Sequence, residues 1–387
     1  MVSQSLAMSK KTFLPLLFSI CLLFIYACDP QEEPATPEKW EKAEGFQNGL
    51  SFAREINGAL YAASRSRVFA NASTGGPNDF SELSLFMQSM PPYRLPLSEQ
   101  LMAAINPSQL FILPAGNSNQ ENALTLNMRD IDPEFTEFHF LHYFLCEQIS
   151  INPDGTVMVP YRSAKDGKQK NTPDFLWVKT AVNAGKVELL EYKLIKEEFF
   201  AGISTIRILK DFPSFTRVTL DGKTFDIDRA GNLELRFERF AKSVQVGDEI
   251  ITFARPMPFD NLPWEVYKSD LSGKNNQLLG TYSSSQISPL DNFILSQMAD
   301  NLFSIDGKII LNNLDAIYRI DINSEGIKLI ELENEGLQNA QITSITQLDN
   351  SSIFVTAVCD SGTFNNCGGF TKSLENFFKL KETQPQL

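Results

Sequence analysis

Histidine is nearly absent: there are two in 387 residues. That scarcity argues against a His-rich metal centre or a His-dependent catalytic site. The chain contains no Gly-x-Ser-x-Gly elbow, Walker loop or dinucleotide-binding glycine fingerprint, so the common local signatures of acyl transfer and nucleotide binding are missing. Clustered basic charge is missing too. Lys and Arg number 34 against 47 Asp and Glu, a net charge of −13. Phosphate backbones are gripped by clustered Lys and Arg, so nucleic acid is excluded as an expected partner. Strong helical periodicity is scarce. The best short helix spans Pro96 to Ile105, where Leu97, Leu101, Met102 and Ile105 are apolar, and residues 372–379 offer a second. Nothing in the composition calls for a cofactor.

The one long apolar run, Thr12 to Ala27, is shorter than the roughly 20 residues of a comfortable membrane span. Lys10 and Lys11 precede it and Asp29-Pro30-Gln31-Glu32-Glu33-Pro34 follows at once. A basic start, a short apolar stretch and a small residue before the cut describe a secretory signal. Met8 places the two lysines at the amino end and is the expected start, with residues 1–7 preceding it. Ile25-Tyr26-Ala27-Cys28 resembles the lipobox of bacterial lipoproteins, with Ile25 and Tyr26 standing where that family prefers Leu and a small residue. The resemblance covers residues 8–28. It implies acylation of Cys28, removal of residues 1–27 and attachment to a membrane through lipid. Two acyl chains suffice for stable anchoring, since each buried methylene contributes about 0.8 kcal/mol. Asp29, Glu32 and Glu33 also resemble the export signals of surface lipoproteins of Bacteroidetes, which implies an outer-membrane or cell-surface location; the periplasmic face of a membrane is the alternative. Removing residues 1–27, with their two lysines and no acids, leaves a net charge of −15. Anionic headgroups would repel such a chain, so Cys28 is the expected link to the membrane.

Residues 28–45 are rich in Pro, Glu and Lys and read as a flexible tether. From residue 46 to 387 the chain is a succession of short apolar runs broken by turn residues. Asp154-Gly155, Gly247-Asp248 and Asp306-Gly307 each open a run of β-formers. Tyr267-Lys-Ser-Asp270-Leu-Ser-Gly273 leads to Leu278-Leu279, and Tyr318-Arg-Ile-Asp321-Ile-Asn-Ser-Glu-Gly326 leads to Leu329-Ile330. Opening strands begin near residues 58, 109, 155, 202, 247, 307 and 352, at intervals of 51, 46, 47, 45, 60 and 45. Near-constant spacing of this size predicts an all-β fold, a β-propeller of about seven (six to eight) four-stranded blades. A pair of β-sandwiches or a solenoid is the alternative. The Tyr-x-x-Asp hairpins resemble blades of TolB-like propellers, most closely over residues 245–332. That resemblance implies a fold and no activity. No WD dipeptide, Kelch array or sialidase-type Asp-box accompanies it.

Asp130-Ile-Asp132-Pro-Glu134-Phe-Thr-Glu137 gathers four carboxylates in eight residues. Calcium would use such oxygens, but the spacing matches no ligand pattern, and a solvated acidic loop is expected. Asp226-Ile-Asp228-Arg-Ala-Gly231 and Asp321-Ile-Asn323-Ser-Glu325-Gly326 resemble EF-hand openings but carry Phe237 and Leu332 at the twelfth position; both are expected to be hairpin turns. His139 and His142 lie in an aromatic, strand-like run. Three residues apart on a strand they point to opposite faces and cannot share an ion. Cys146 lies in the same run as a buried thiol. Cys359 and Cys367 bracket a short loop of turn residues. Outside the cytoplasm such a pair can oxidise; a zinc site would need two further ligands that are not evident. The expected function is a lipid-anchored binding or scaffolding protein of the cell envelope, with an envelope protein or glycan as ligand. A glycan-active hydrolase or lyase working in the central propeller pocket is the alternative, because its carboxylates would be assembled by the fold.

Overall fold

The computed structural model describes residues 39–44, 52–56, 59–63, 68–71, 80–83, 98, 100–115, 120–139, 149–165, 167–196, 206–220, 222–256, 262–297, 301–314, 316–337, 339–348, 351–358 and 367–381. Among them the strands form seven antiparallel sheets. In chain order these blades span 52–83, 101–127, 135–195, 206–237, 240–282, 302–331 and 341–373. Five have four strands, the second has three described strands and the third has six. Consecutive strands pair as hairpins, except in blade 3, where Phe135–Phe138 and Asp174–Asn183 each pair with Thr156–Lys165 and the innermost strand is Ser150–Ile151. The first strands of successive blades approach one another and form the inner ring: blade 2 meets 3, 3 meets 4, 4 meets 5, 5 meets 6, 6 meets 7, and 7 meets 1. This is a β-propeller.

The seventh blade is completed from the other end of the chain. Glu41–Lys42 pairs with Gly368–Ser373 as its outermost strand. Trp40 is buried against Phe377, and its backbone N–H donates to the Glu335 carbonyl. Residues 40–43 therefore belong to the ring and not, as expected, to the tether. Burying the Trp40 ring outweighs the polar composition around it.

The core lies between blades. Along the second and third strands of blade 3, Val157, Val159, Leu176 and Val178 pack toward blade 2, while Met158, Phe175 and Trp177 pack toward blade 4. The alternation has period two, yet both sets are apolar because both faces are covered. The same division places Phe253 and Val266 against Leu311 and Leu329, Ile310 and Ile317 against Ile353 and Val355, and Phe354 against Leu60. Covering both faces also explains the misread helix. Leu101–Ile105 is a strand in which Leu101, Met102 and Ala103 are all buried, so a strand wetted on neither side imitates helical spacing. Leu374–Phe377 is a helix, within the second expected one.

The repeat spacing is right, but its phase is shifted by one strand in six blades. The openings near 58, 109, 155, 247, 307 and 352 are second strands, while the one near 202 precedes the first strand of blade 4, Ile206–Phe212. In blades 3, 5 and 6 glycine sits in the first hairpin with positive φ: Gly155, Gly247 and Gly307. Gly155 has a second constraint, since a Cβ there would lie 2.5 Å from the Thr180 carbonyl oxygen. The first hairpin of blade 4 turns at Pro213-Ser214 without glycine, so no such signal marks its second strand.

Candidate functional site

The seam between blades 4 and 5 differs from the other described seams. In Phe215–Leu220 and Lys223–Asp228, Val218, Phe225 and Ile227 face blade 3. The alternate positions facing blade 5 hold Thr219, Thr224, and the directly paired Arg217 and Asp226. Both charged residues are buried. Arg217 donates from Nε and Nη2 to the two oxygens of Asp226, each at 2.7 Å. Its Nη1 donates to Ser243 Oγ at 2.8 Å and Thr252 Oγ1 at 3.0 Å on blade 5. The rings of Phe212, Phe215 and Phe237 surround the guanidinium at 5.6, 5.0 and 5.7 Å. Arg236 Nε donates to Asp226 Oδ2 at 3.0 Å and its Nη1 pairs with Glu234 at 3.1 Å. A planar fork is suited to such bidentate pairing out of water.

Over this knot lies a pocket of about 410 Å³, bounded by the Ser214 turn, the start of Leu233–Phe237 and the Ser272–Lys274 turn of blade 5. Its edges are held by turn chemistry. Asp228 accepts from the backbone N–H groups of Ala230 at 2.9 Å and Asn232 at 2.8 Å. Burial would raise its pKa, but these bonds and Lys193 hold the carboxyl below its ordinary range. Opposite, Asp270 accepts from Ser272 N–H at 2.9 Å and Asn275 Nδ2 at 2.6 Å. Gly273 has φ +71°, and a Cβ there would lie 2.6 Å from the Phe215 ring, so only glycine lets this turn close against the knot.

Closer to the ring centre, Asp211 ends the first strand of blade 4. It accepts from Thr216 Oγ1 at 2.8 Å and from Ser150 Oγ on blade 3. Burial pushes its pKa up, against those hydroxyls and the charges of Arg229 and Arg54. Lys210 Nζ donates to the Leu302 carbonyl at 2.9 Å, joining blade 4 to blade 6. Buried Lys242 donates to Asn301 at 3.0 Å. Asp211 and Lys242 are thus engaged with adjacent blades, and Lys210 reaches past blade 5 to blade 6.

The acidic run is dispersed. Asp130 is exposed. Asp132 is buried, accepting from Tyr161 at 2.8 Å and pairing with Lys196 at 2.7 Å. Glu134 shares Lys196, and Glu137 takes Arg162 and Gln169. Among the described residues no group of three His, Cys, Asp or Glu side chains is gathered to hold a metal. His139 is buried, with Nδ1 accepting from Arg162 Nε at 3.1 Å. Cys367 is disulfide-bonded. Cys28, Cys146, His142 and Cys359 lie outside the described residues. The turns at Ala230-Gly231 and Ser324-Glu325 are hairpins, as expected. Sequence reasoning missed Arg217 and Arg236. The available signal was charge at alternate positions of strands whose intervening residues are apolar.

No family model and no curated protein sequence matches the chain. Solved structures do. The WD40 domain of Neurospora crassa Pan2 is 10% identical, with a TM-score of 0.50 over 89% of this chain and 98% of that one. YCF48 from Cyanidioschyzon merolae is 10% identical, with a TM-score of 0.49 over 87% and 98%. PorZ, a bacterial surface component of the type-IX secretion system of Porphyromonas gingivalis, is 11% identical, with a TM-score of 0.40 over 86% and 39%. At these identities the likeness is one of fold.

Proposed function

We propose that this protein is a binding or scaffolding module of a bacterial envelope, held at the membrane by lipid on Cys28 and displaying the propeller beyond it. The observation that carries the binding role is the pocket between blades 4 and 5. Its carboxylates are held by hydrogen bonds and ion pairs within the protein, so it offers fixed hydrogen-bonding groups rather than a strained acid or base. The Ile25-Tyr26-Ala27-Cys28 sequence supports the anchor. Glycan hydrolysis in the central pocket would call for two carboxylates flanking one bond. Burial pushes up the pKa of the inner-ring carboxyl Asp211, against the hydroxyls of Ser150 and Thr216 and the charges of Arg229 and Arg54.

Fractionation of expressing bacteria tests the proposal. Wild-type protein is expected in the membrane fraction and Cys28→Ser in the soluble fraction. Tight membrane retention of Cys28→Ser would overturn the anchor.

A further inference from the structure

We propose that the pocket between blades 4 and 5 takes a neutral, hydroxyl-rich ligand of sugar size, bound at the side of the ring rather than on its axis. The proposal rests on the binding-module reading and specifies its ligand.

Three observations lead there. The seam itself is anomalous. Five described seams are closed mainly by apolar side chains; this one keeps apolar contacts of Phe212, Phe215 and Phe237 with Ile250, Ala241 and Ala254 but also buries the paired Arg217 and Asp226. A buried ion pair contributes little more to stability than apolar residues of the same volume. Departures of this kind concentrate where a protein binds or reacts.

The lining is the second observation. Pockets for drug-like ligands are mostly apolar with a few polar groups. Here ten residues line the space and only Phe215 and Leu233 are apolar. Phe215 and Leu233 add an apolar face beside the eight polar or charged residues, so the pocket suits a ligand that has both hydrogen-bonding groups and a hydrocarbon face.

Charge is the third. Asp226, Asp228 and Glu234 are balanced by Arg236, Lys274 and the underlying Arg217. An anion entering the pocket meets three carboxylates, and a cation meets Arg236 and Lys274, with Arg217 committed to Asp226 beneath them. A hydroxyl both donates and accepts, so it suits both sets. Arg236 commits Nε and Nη1 to Asp226 and Glu234, and among the described residues neither its Nη2 nor Lys274 Nζ has a protein partner. These donors stand beside carboxylate oxygens, the arrangement that adjacent hydroxyls of a sugar ring can bridge.

Saturation-transfer NMR on the full-length protein in a detergent without sugar groups tests this. The probes are glucose, galactose, mannose and N-acetylglucosamine, with glucuronate, glucosamine and glucose 6-phosphate as charged counterparts. At about 10 mM, enough to populate a millimolar site, at least one neutral sugar is expected to give a signal. Ser214→Trp places a large ring at an exposed turn of the pocket and should weaken that signal about tenfold without changing the melting temperature. Lys274→Ala, also exposed, removes a free donor and should weaken it several-fold. A neutral-sugar signal that survives both substitutions overturns the proposal. A stronger signal from a charged probe, abolished by Ser214→Trp, overturns the neutral-ligand assignment and leaves the pocket as a binding site. Silence from every probe overturns the assignment and removes the pocket from the binding-module reading; the anchor at Cys28, read by fractionation, is unaffected.

Discussion

Two buried residues show how the same physics gives opposite signs. Arg217 and Asp226 are each expensive to bury alone and tolerable together. Arg217→Met should cost about 3–5 kcal/mol, because Asp226 keeps its charge and loses its bidentate partner. Converting both to apolar residues of similar volume should recover most of that loss. Urea unfolding of the single and double variants checks both; equal losses in the two would contradict the account. His139 is the reverse case, a group that must stay neutral. Burial, followed by the nearby Arg162 charge, lowers its pKa from 6.5 to about 4. Between those values the unfolded chain binds a proton that the folded chain does not, so stability should fall as pH drops from 6.5 toward 4. The contribution is ~3 kcal/mol at most. His139→Gln should flatten that part of the stability–pH curve, and an unchanged slope would sink the assignment. His139 follows the strand Phe135–Phe138, and residues 140–145 of the run read as strand-like lie outside the described residues. Its tautomer and its Arg162 partner were not legible in the sequence, because Arg162 lies on another strand.

Hairpins were the most legible elements, since turn chemistry is local. Asp228 capping Ala230 and Asn232, and Asn323 capping Glu325 and Gly326, follow from side chains that bond their own backbone two to four residues on. Phase was less legible: glycine turns mark the first hairpins of blades 3, 5 and 6, so a reader following glycine starts those blades one strand late. The closing strand was illegible. Glu41–Lys42 is two residues long, and its partner lies more than 300 residues away. Trp40 anchors it. Trp40→Ala should cost about 3–5 kcal/mol by leaving a cavity against Phe377. In paired truncations, removing residues 1–38 should leave the melting temperature nearly unchanged, while removing residues 1–44 should lower it sharply. Equal melting temperatures would mean that the ring closes without this strand.

At the scale of the whole molecule, repeat spacing disclosed the propeller because each blade is one up-and-down meander of similar length. The candidate pocket was hidden for the same reason that the fold was visible. Its walls come from turns of two blades more than 40 residues apart, and its floor is an ion pair that reads locally as two unremarkable strand positions. The proposed anchor is the opposite case: it rests on the sequence of residues 8–28 alone and not on the fold. We propose a short linear signal joined to a folded binding module, and the chemical state of Cys28 decides whether that module is lipid-anchored. Mass spectrometry of the amino-terminal peptide of the membrane-extracted protein tests it most directly. The account predicts a peptide beginning at Cys28 and carrying two or three acyl chains. A peptide that runs unbroken through Ala27-Cys28 with an unmodified thiol would contradict it.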